Sequence, residues 1–310
     1  MENYILKVQH LSHRYSKTWA IKDISFEVGE NGILGLLGSN GAGKSTTMNI
    51  ICGVLNQTEG KVFIDGIDMR KSPVEAKKQI GFLPQTAPLH LDSTVDEYLT
   101  HCAHLRKIDK QQIPKALAIV KERCGIAHFR KRLIRNLSGG YKQRVGIAQA
   151  IIHNPKLVIL DEPTNGLDPN QILEVRNLIK QIGQERAVIF SSHILSEVQA
   201  TCHDIRMIEQ GKMVFADTLE AFNNYISPNS MLAVMENPPA REYFEAIDGI
   251  TSAELLHTNT FRLRFDTDPS ITERIIELSV AKGWKLREIH LERSSLDEIF
   301  AQLSKKAEIN

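Results

Sequence analysis

Cysteine is scarce in this chain, and its four copies (Cys52, Cys102, Cys124, Cys202) show no C-x-x-C spacing. That excludes a disulfide framework and leaves reduced thiols that pack as small apolar side chains. Cys202 and His203 adjoin, but no companion pair stands near them in the sequence, so a zinc site is set aside. Neither sign of charge prevails: 38 basic residues face 37 acidic ones, for a formal net charge of +1. Such a balance gives no chain-wide field for a nucleic-acid backbone, and no nucleic-acid partner is expected. Long apolar runs are missing as well. The longest are short pieces such as residues 157–160, far below the roughly 18–20 residues that span a bilayer. The opening MENYILKVQH lacks the basic-then-apolar order of a secretory signal. Together these absences lead to a cytosolic expectation.

What is present is an ordinary globular composition, 42% hydrophobic and 24% charged over 310 residues, enough for two domains. In DISFEV, Ile24, Phe26 and Val28 alternate as on a half-buried strand, and KVFIDGID continues the β character around an Asp65-Gly66 turn. A strand over 33–37 runs into a glycine-rich bend. From about Thr94 to Ile152 the pattern is helical, broken at Gly125 and at NLSGG. KLVILDEP and AVIFSSH are continuous apolar runs, the pattern of strands buried on both faces. Strands alternating with helices predict an α/β domain with a mostly parallel sheet and an antiparallel β portion in front.

Near residues 227–230 the texture changes, which divides the chain into a domain over 1–226 and a smaller one over 230–310. The second reads β-α-β-β-α-β: MLAVME, a helix over 240–246, strands over 252–256 and at Phe261, Leu263 and Phe265, a helix with Ile271, Ile275 and Leu278 on one face, and a strand over 284–291. Asp268-Pro269 caps the long helix, and a last helix opens at Ser295 with Glu298 completing a capping box. This order predicts a small α+β, ferredoxin-like unit.

Three stretches carry chemistry. Residues 38–45 fit G-x-x-x-x-G-K-[ST], in which backbone N–H groups and the following helix terminus cradle phosphates, Lys44 reaches the β- and γ-phosphates and the Ser45 hydroxyl holds Mg²⁺. Asp161 and Glu162 end an apolar strand, where a buried carboxylate calls for a cation beside it. NLSGGYKQR, residues 136–144, offers a second phosphate-ready helix start far from the first. One nucleotide has no evident need of two such nests from one subunit, so the second is expected to face the nucleotide of another copy.

In their order along the chain the three stretches resemble the ATP-binding subunits of ABC transporters, over about residues 3–220. GSNGAGKST fits the Walker A motif, LSGG the signature and LVILDE the Walker B motif. Gln85 in GFLPQ fits the Q-loop, GLDP with Asp168 the D-loop, His193 in SSH the switch histidine, and Tyr15 the aromatic position that stacks on adenine, against the simpler reading of a strand-edge tyrosine. The resemblance implies a P-loop NTPase fold with antiparallel and helical subdomains, and ATP and Mg²⁺ as ligands. Gly38, Asn40, Gly41, Ala42, Gly43, Lys44, Ser45 and Thr46 would hold the nucleotide, Ser45, Gln85 and Asp161 would surround Mg²⁺, and Glu162 would be the general base. His193 would hold the γ-phosphate region. Ser138, Gly139 and Gly140 would close over a partner protomer's ATP. Tyr141 and Lys142 depart from the glutamine-rich residues common after LSGG, on the helix surface beyond the glycine nest.

The implied partners are integral membrane permease subunits and a second ATPase protomer, identical or paralogous. The implied place is peripheral, on the cytoplasmic face of the inner membrane. The tail SLDEIFAQLSKK is similar to the C-terminal extensions of ABC-2-type exporter ATPases, a group with drug-resistance, sodium-efflux and gliding-motility systems. The tail is equally open to reading as a plain packing domain. A soluble ABC ATPase acting on ribosomes or DNA is the alternative, disfavoured by a single nucleotide domain and a short helical insert. A P-loop kinase or GTPase has no place for LSGG, and no N-K-x-D motif occurs.

Overall fold

The computed structural model of the protein describes residues 4–225, 230–265 and 270–292. The Asp268-Pro269 cap and the helix expected from Ser295 lie outside the described residues.

A hairpin of β1 (Tyr4–Tyr15) and β2 (Thr18–Gly29) begins the chain, with Ile24, Phe26 and Val28 buried as their alternation predicts. Next come β3 (Gly32–Leu37), α1 (Lys44–Ile51), β4 (Glu59–Ile64), β5 (Ile67–Asp68), α2 (Pro73–Lys78) and β6 (Ile80–Leu83). The helical stretch resolves into α3 (Val95–Leu105), α4 (Ile113–Arg123) and α5 (Gly139–Ile151). A capping box opens α3: Thr94 Oγ1 accepts the Glu97 N–H, and the Glu97 carboxylate accepts the Thr94 N–H. The Thr94 N–H, and after it the Thr94 hydroxyl, holds the Glu97 carboxyl below its usual pKa. Then follow β7 (Leu157–Asp161), α6 (Pro169–Gly183), β8 (Ala187–Ser192), α7 (Leu195–Thr201), β9 (Asp204–Glu209), β10 (Lys212–Thr218) and α8 (Leu219–Tyr225).

Two sheets form from these strands. The antiparallel one runs β2-β1-β4-β5, and a six-stranded one runs β10-β9-β3-β8-β7-β6. Within the second, all neighbours from β9 to β6 are parallel and only β10 is antiparallel. Every residue of β7 and β8 is buried, which is why both read as unbroken apolar runs. Because the five strands β9, β3, β8, β7 and β6 point the same way, the segments leaving them collect at one edge of the sheet. In open α/β sheets that carboxyl edge is where ligands bind.

The chain divides into two compact units after Leu219. The second unit contains β11 (Ser230–Met235), α9 (Arg241–Glu245), β12 (Ile250–His257), β13 (Thr260–Phe265), α10 (Ile271–Lys282) and β14 (Leu286–Glu292). Its sheet runs β12-β13-β11-β14 with every pair antiparallel. Met231, Phe261, Leu263, Phe244, Ile275 and Trp284 are among its own buried core. The strand expected over 284–291 begins at Leu286 instead, because Lys285 is left-handed and turns Trp284 into the core. As a sheet edge, β14 buries no residue fully, so its alternation slips.

Candidate functional site

The loop from β3 to α1 is closed around its own lysine. Lys44 Nζ donates to the carbonyls of Gly38 at 2.9 Å and Ser39 at 3.0 Å. The loop has no spare volume at two glycines. A side chain on Gly38 would meet the Ile208 carbonyl at 2.3 Å, and one on Gly43 the Ile21 methyl at 2.5 Å. Gly43 also has φ +110, a conformation L-residues rarely adopt. It caps α1 without any side-chain bond, and no acid stands in the helix's first turn. The first-turn N–H groups are thus free of side-chain acceptors, and with the helix dipole they make an anion site. The glycine cradle, the uncapped helix and the buried ammonium fit a chain of phosphates.

From beneath, Glu209 at the end of β9 braces the loop: its carboxylate accepts the Ser39 hydroxyl at 2.9 Å. The turn after it adds a second strap, with the Gly211 N–H donating to the Ala42 carbonyl at 3.0 Å.

Three motif residues far apart in sequence meet at Glu162. Its carboxylate lies 3.7 Å from Lys44 Nζ, 3.2 Å from His193 Nδ1 and 3.4 Å from Gln85 Nε2, the amide donating. Glu162 is buried and left-handed at φ +46, the kind of strained backbone that collects at functional sites. That turn re-aims it relative to Asp161. Asp161 instead accepts the Ser191 hydroxyl at 2.6 Å, and the same Ser191 oxygen accepts the Glu162 N–H at 2.8 Å. Burial holds the Lys44 pKa down, opposed by Glu162 and then Asp161.

Other sequence-expected residues stand apart. Ser138 opens α5 with its side chain capping nothing, and Gly139 and Gly140 follow in the first turn. Among the described residues, no hydrogen bond or ion pair joins 138–140 to 38–46. The signature instead lies against the D-loop: a side chain on Gly139 would touch Leu167 at 3.6 Å, and one on Gly140 would strike Gln171 at 2.8 Å. Asp168 caps α6, accepting the Gln171 N–H at 3.0 Å. Tyr15 ends β1 half-exposed, in edge contact with the His13 ring at 4.7 Å. Asn40 and Gly41 are exposed on the loop, Ala42 is buried, and Ser45 and Thr46 are half-buried in the first turn of α1.

Ser39, Glu209, Thr164, Ser191, Ser192 and Glu197 escape the sequence reading. Glu209 carries a weaker form of the signal at Asp161, an acid at the carboxyl end of a strand whose buried positions, Ile205, Met207 and Ile208, are apolar. The hydroxyls carry no comparable signal, since their partners are distant in sequence. Among the described residues no group of three His, Cys, Asp or Glu is placed to hold a metal ion. Nor is any helix among them long and apolar enough to cross a membrane.

Comparison with known proteins agrees with this geometry. The family model described as "ABC transporter" matches residues 21–165. The chain is similar to the linearmycin resistance ATP-binding protein LnrL of Bacillus subtilis, at 28% identity over 97% of this chain and 98% of that protein. It is 35% identical to the lipopolysaccharide export system ATP-binding protein LptB of Haemophilus influenzae, over 71% of this chain and 93% of that one. Among solved structures, cbiO1 of Clostridium perfringens, part of the transporter complex cbiONQ, superposes with a TM-score of 0.66 at 30% identity, covering 72% of this chain and 92% of that one. Matches at 30% identity or more that take in over nine-tenths of the relative's length show the family, and the chain belongs to the ATP-binding proteins of ABC transporters.

Proposed function

We propose that this ATPase energises a multi-subunit exporter by closing two protomers around two ATP molecules, with Glu162 as the general base. The convergence of Lys44, Gln85 and His193 on one buried carboxylate carries the reading. Glu162 orients the attacking water and takes its proton, a role worth about 10²–10⁴ in rate. Lys44 releases its loop carbonyls to meet the β- and γ-phosphates, offsetting charge as the γ-phosphoryl leaves. His193 holds the γ-phosphate region beside Glu162, and Tyr15 stacks on adenine. Gly38, Asn40, Gly41, Ala42, Gly43 and Thr46 line the phosphate cradle.

Ser45, Asp161 and Gln85 offer the hard oxygen donors that suit Mg²⁺, which when bound to the phosphates would neutralise part of their charge. A single protein carboxylate in the set fits that ion, which is usually held by one or two carboxylates plus substrate phosphates. The separation of 138–140 from the phosphate loop supports a role for Ser138, Gly139 and Gly140 on a partner's nucleotide, beside Asp168 of the D-loop. The partner is a second ATPase protomer, identical or paralogous.

For the permease, the favoured surface is a groove of about 570 Å³ lined by Val74, Lys77, Lys78, Leu105, Arg106 and Lys107. Val74 and Leu105 are 62% and 68% exposed, and the basic rim suits an amphipathic segment carrying acids. Such docking places the ATPase in the cytoplasm, peripheral to the inner membrane.

The near full-length match to a resistance ATPase supports the exporter reading, since it includes the C-terminal unit. The strand order of that unit, taken with its β-α-β-β-α-β sequence, supports a ferredoxin-like accessory domain within 230–310. Glu162→Gln is the test: it retains ATP affinity, stalls turnover and accumulates an ATP-bound dimer on size exclusion. Turnover at the parental rate would remove Glu162 from the base role. Co-purification of the wild type with a polytopic membrane protein tests the exporter assignment.

A further inference from the structure

Glu197, in the first turn of α7, is a carboxylate only 5% exposed. Its bonding partners are neutral. One oxygen, Oε2, accepts from Thr164 Oγ1 at 2.8 Å and from Ser192 Oγ at 2.9 Å. Among the described residues it forms no ion pair. Burying a carboxylate without a cation is unfavourable, and an apolar residue would fill this position at less cost if packing were its only task.

The two donors belong to the two segments that carry the catalytic side chains. Thr164 lies two residues beyond Glu162, in the turn closed by the Asn165 N–H donating to the Glu162 carbonyl at 3.1 Å. Ser192 directly precedes His193, and its oxygen also accepts the N–H of Ile194, directly after His193, at 3.0 Å. His193 is therefore bracketed by residues tied through one hydroxyl to Glu197. The carboxylate also fixes polarity. Because it only accepts, both hydroxyls must donate to it, which leaves the Ser192 lone pairs free for the Ile194 N–H.

We propose that Glu197 is a positioning residue that fastens the His193 turn to the turn after Glu162 and so sets the 3.2 Å approach of their side chains. Ser191 ties the same two segments one residue earlier, through Asp161 and the Glu162 N–H. Ser191 fixes the backbone of the general base, and Glu197 fixes its register against the histidine. Glu197 itself bonds to neither Glu162 nor His193 and acts through Thr164 and Ser192. The proposal rests on the assignment of Glu162 and His193 made above.

The test is steady-state turnover with separate ATP titration on Glu197→Ala, Glu197→Gln and Thr164→Val. A misplacement of about 1 Å at reacting groups lowers rate by about 100-fold. Glu197→Ala is accordingly expected to lower kcat by about 10–100-fold while ATP affinity stays within about twofold, since the phosphate cradle is made by other residues. Glu197→Gln, which keeps one accepting oxygen, recovers part of the rate. Thr164→Val, nearly isosteric, lowers kcat in the same direction and carries the test alone if Glu197→Ala does not fold. Single-turnover rates in a His193→Ala background complete the cycle, in which Glu197→Ala adds no further loss.

Unchanged kcat in Glu197→Ala, or in Thr164→Val where only that variant folds, overturns the proposal. So does a parallel fall in kcat and ATP affinity, or an undiminished loss in the His193→Ala background. The two assignments fail separately. An active Glu162→Gln removes the base, whereas an inactive Glu162→Gln beside a fully active Glu197→Ala removes only the positioning role.

Discussion

The ammonium of Lys44 stands 3.7 Å from the carboxylate of Glu162, and both side chains are more than nine-tenths buried. The two form an ion pair, so the residue proposed to meet phosphates also neutralises the residue proposed to activate water. Removing one partner of a buried pair leaves the other uncompensated, at a cost of about 3–5 kcal/mol. Lys44→Met is therefore expected to lower the melting temperature without nucleotide, and Lys44→Met with Glu162→Gln to recover part of the loss. Thermal unfolding checks this, and equal melting of the single and double variants would refute it. ATP titration should show binding abolished in both.

Gly43 separates space from backbone strain. Gly43→Ala places a methyl 2.5 Å from the Ile21 side chain and 2.9 Å from the Ala20 carbonyl, at φ +110. Gly41→Ala meets nothing within 4 Å and suffers only the strain of φ +83. That strain alone is worth about 1–2 kcal/mol. Both variants should lose stability in denaturant titrations, Gly43→Ala clearly more. Only Gly43→Ala should also push α1 away from β2 and abolish ATP binding. Equal losses for the two would mean that the contact with Ile21 is unimportant.

Tyr15 is 52% exposed, so its ring contributes little to the fold and is available to a ligand. Stacking of a base on an aromatic ring is worth about 1–3 kcal/mol. Tyr15→Ala should thus weaken ATP affinity by about 5–150-fold with little change in melting temperature. Tyr15→Trp should keep it. An unchanged affinity in Tyr15→Ala, measured by nucleotide titration, would restore the plain strand-edge reading.

Much of this was legible in the sequence, for identifiable reasons. The strands β7 and β8 announce themselves because burial on both faces leaves no polar position before their carboxyl ends, and the phosphate loop because its glycines meet constraints that no other residue satisfies. Glu162 was legible as an acid ending an apolar strand. Its left-handed backbone was not, since a strained φ is imposed by neighbours rather than by residue type. Glu197 and Thr164 were illegible because their link joins positions 33 residues apart through ordinary polar side chains. The exposed strand β14 was misplaced by two residues because an edge strand has no buried face to set its period.

His153 gives a prediction in pH. Its Nε2 donates to the Ile80 carbonyl at 3.0 Å, and burial with Arg106 nearby lowers its pKa to about 4, from 6.5. The neutral form is the folded form. Between pH 6.5 and about 4 the unfolded chain binds a proton that the folded chain refuses, so stability is full above pH 6.5 and falls as pH is lowered through that window. The total is at most about 3 kcal/mol. Protonation would also set a third positive charge beside Arg106 and Arg186, which reinforces the direction. His153→Gln keeps a donor for Ile80 and removes the titration. Its melting temperature should therefore vary less between pH 7 and pH 4.5 than that of the wild type, and parallel profiles for the two proteins would show that His153 does not govern the acid limb.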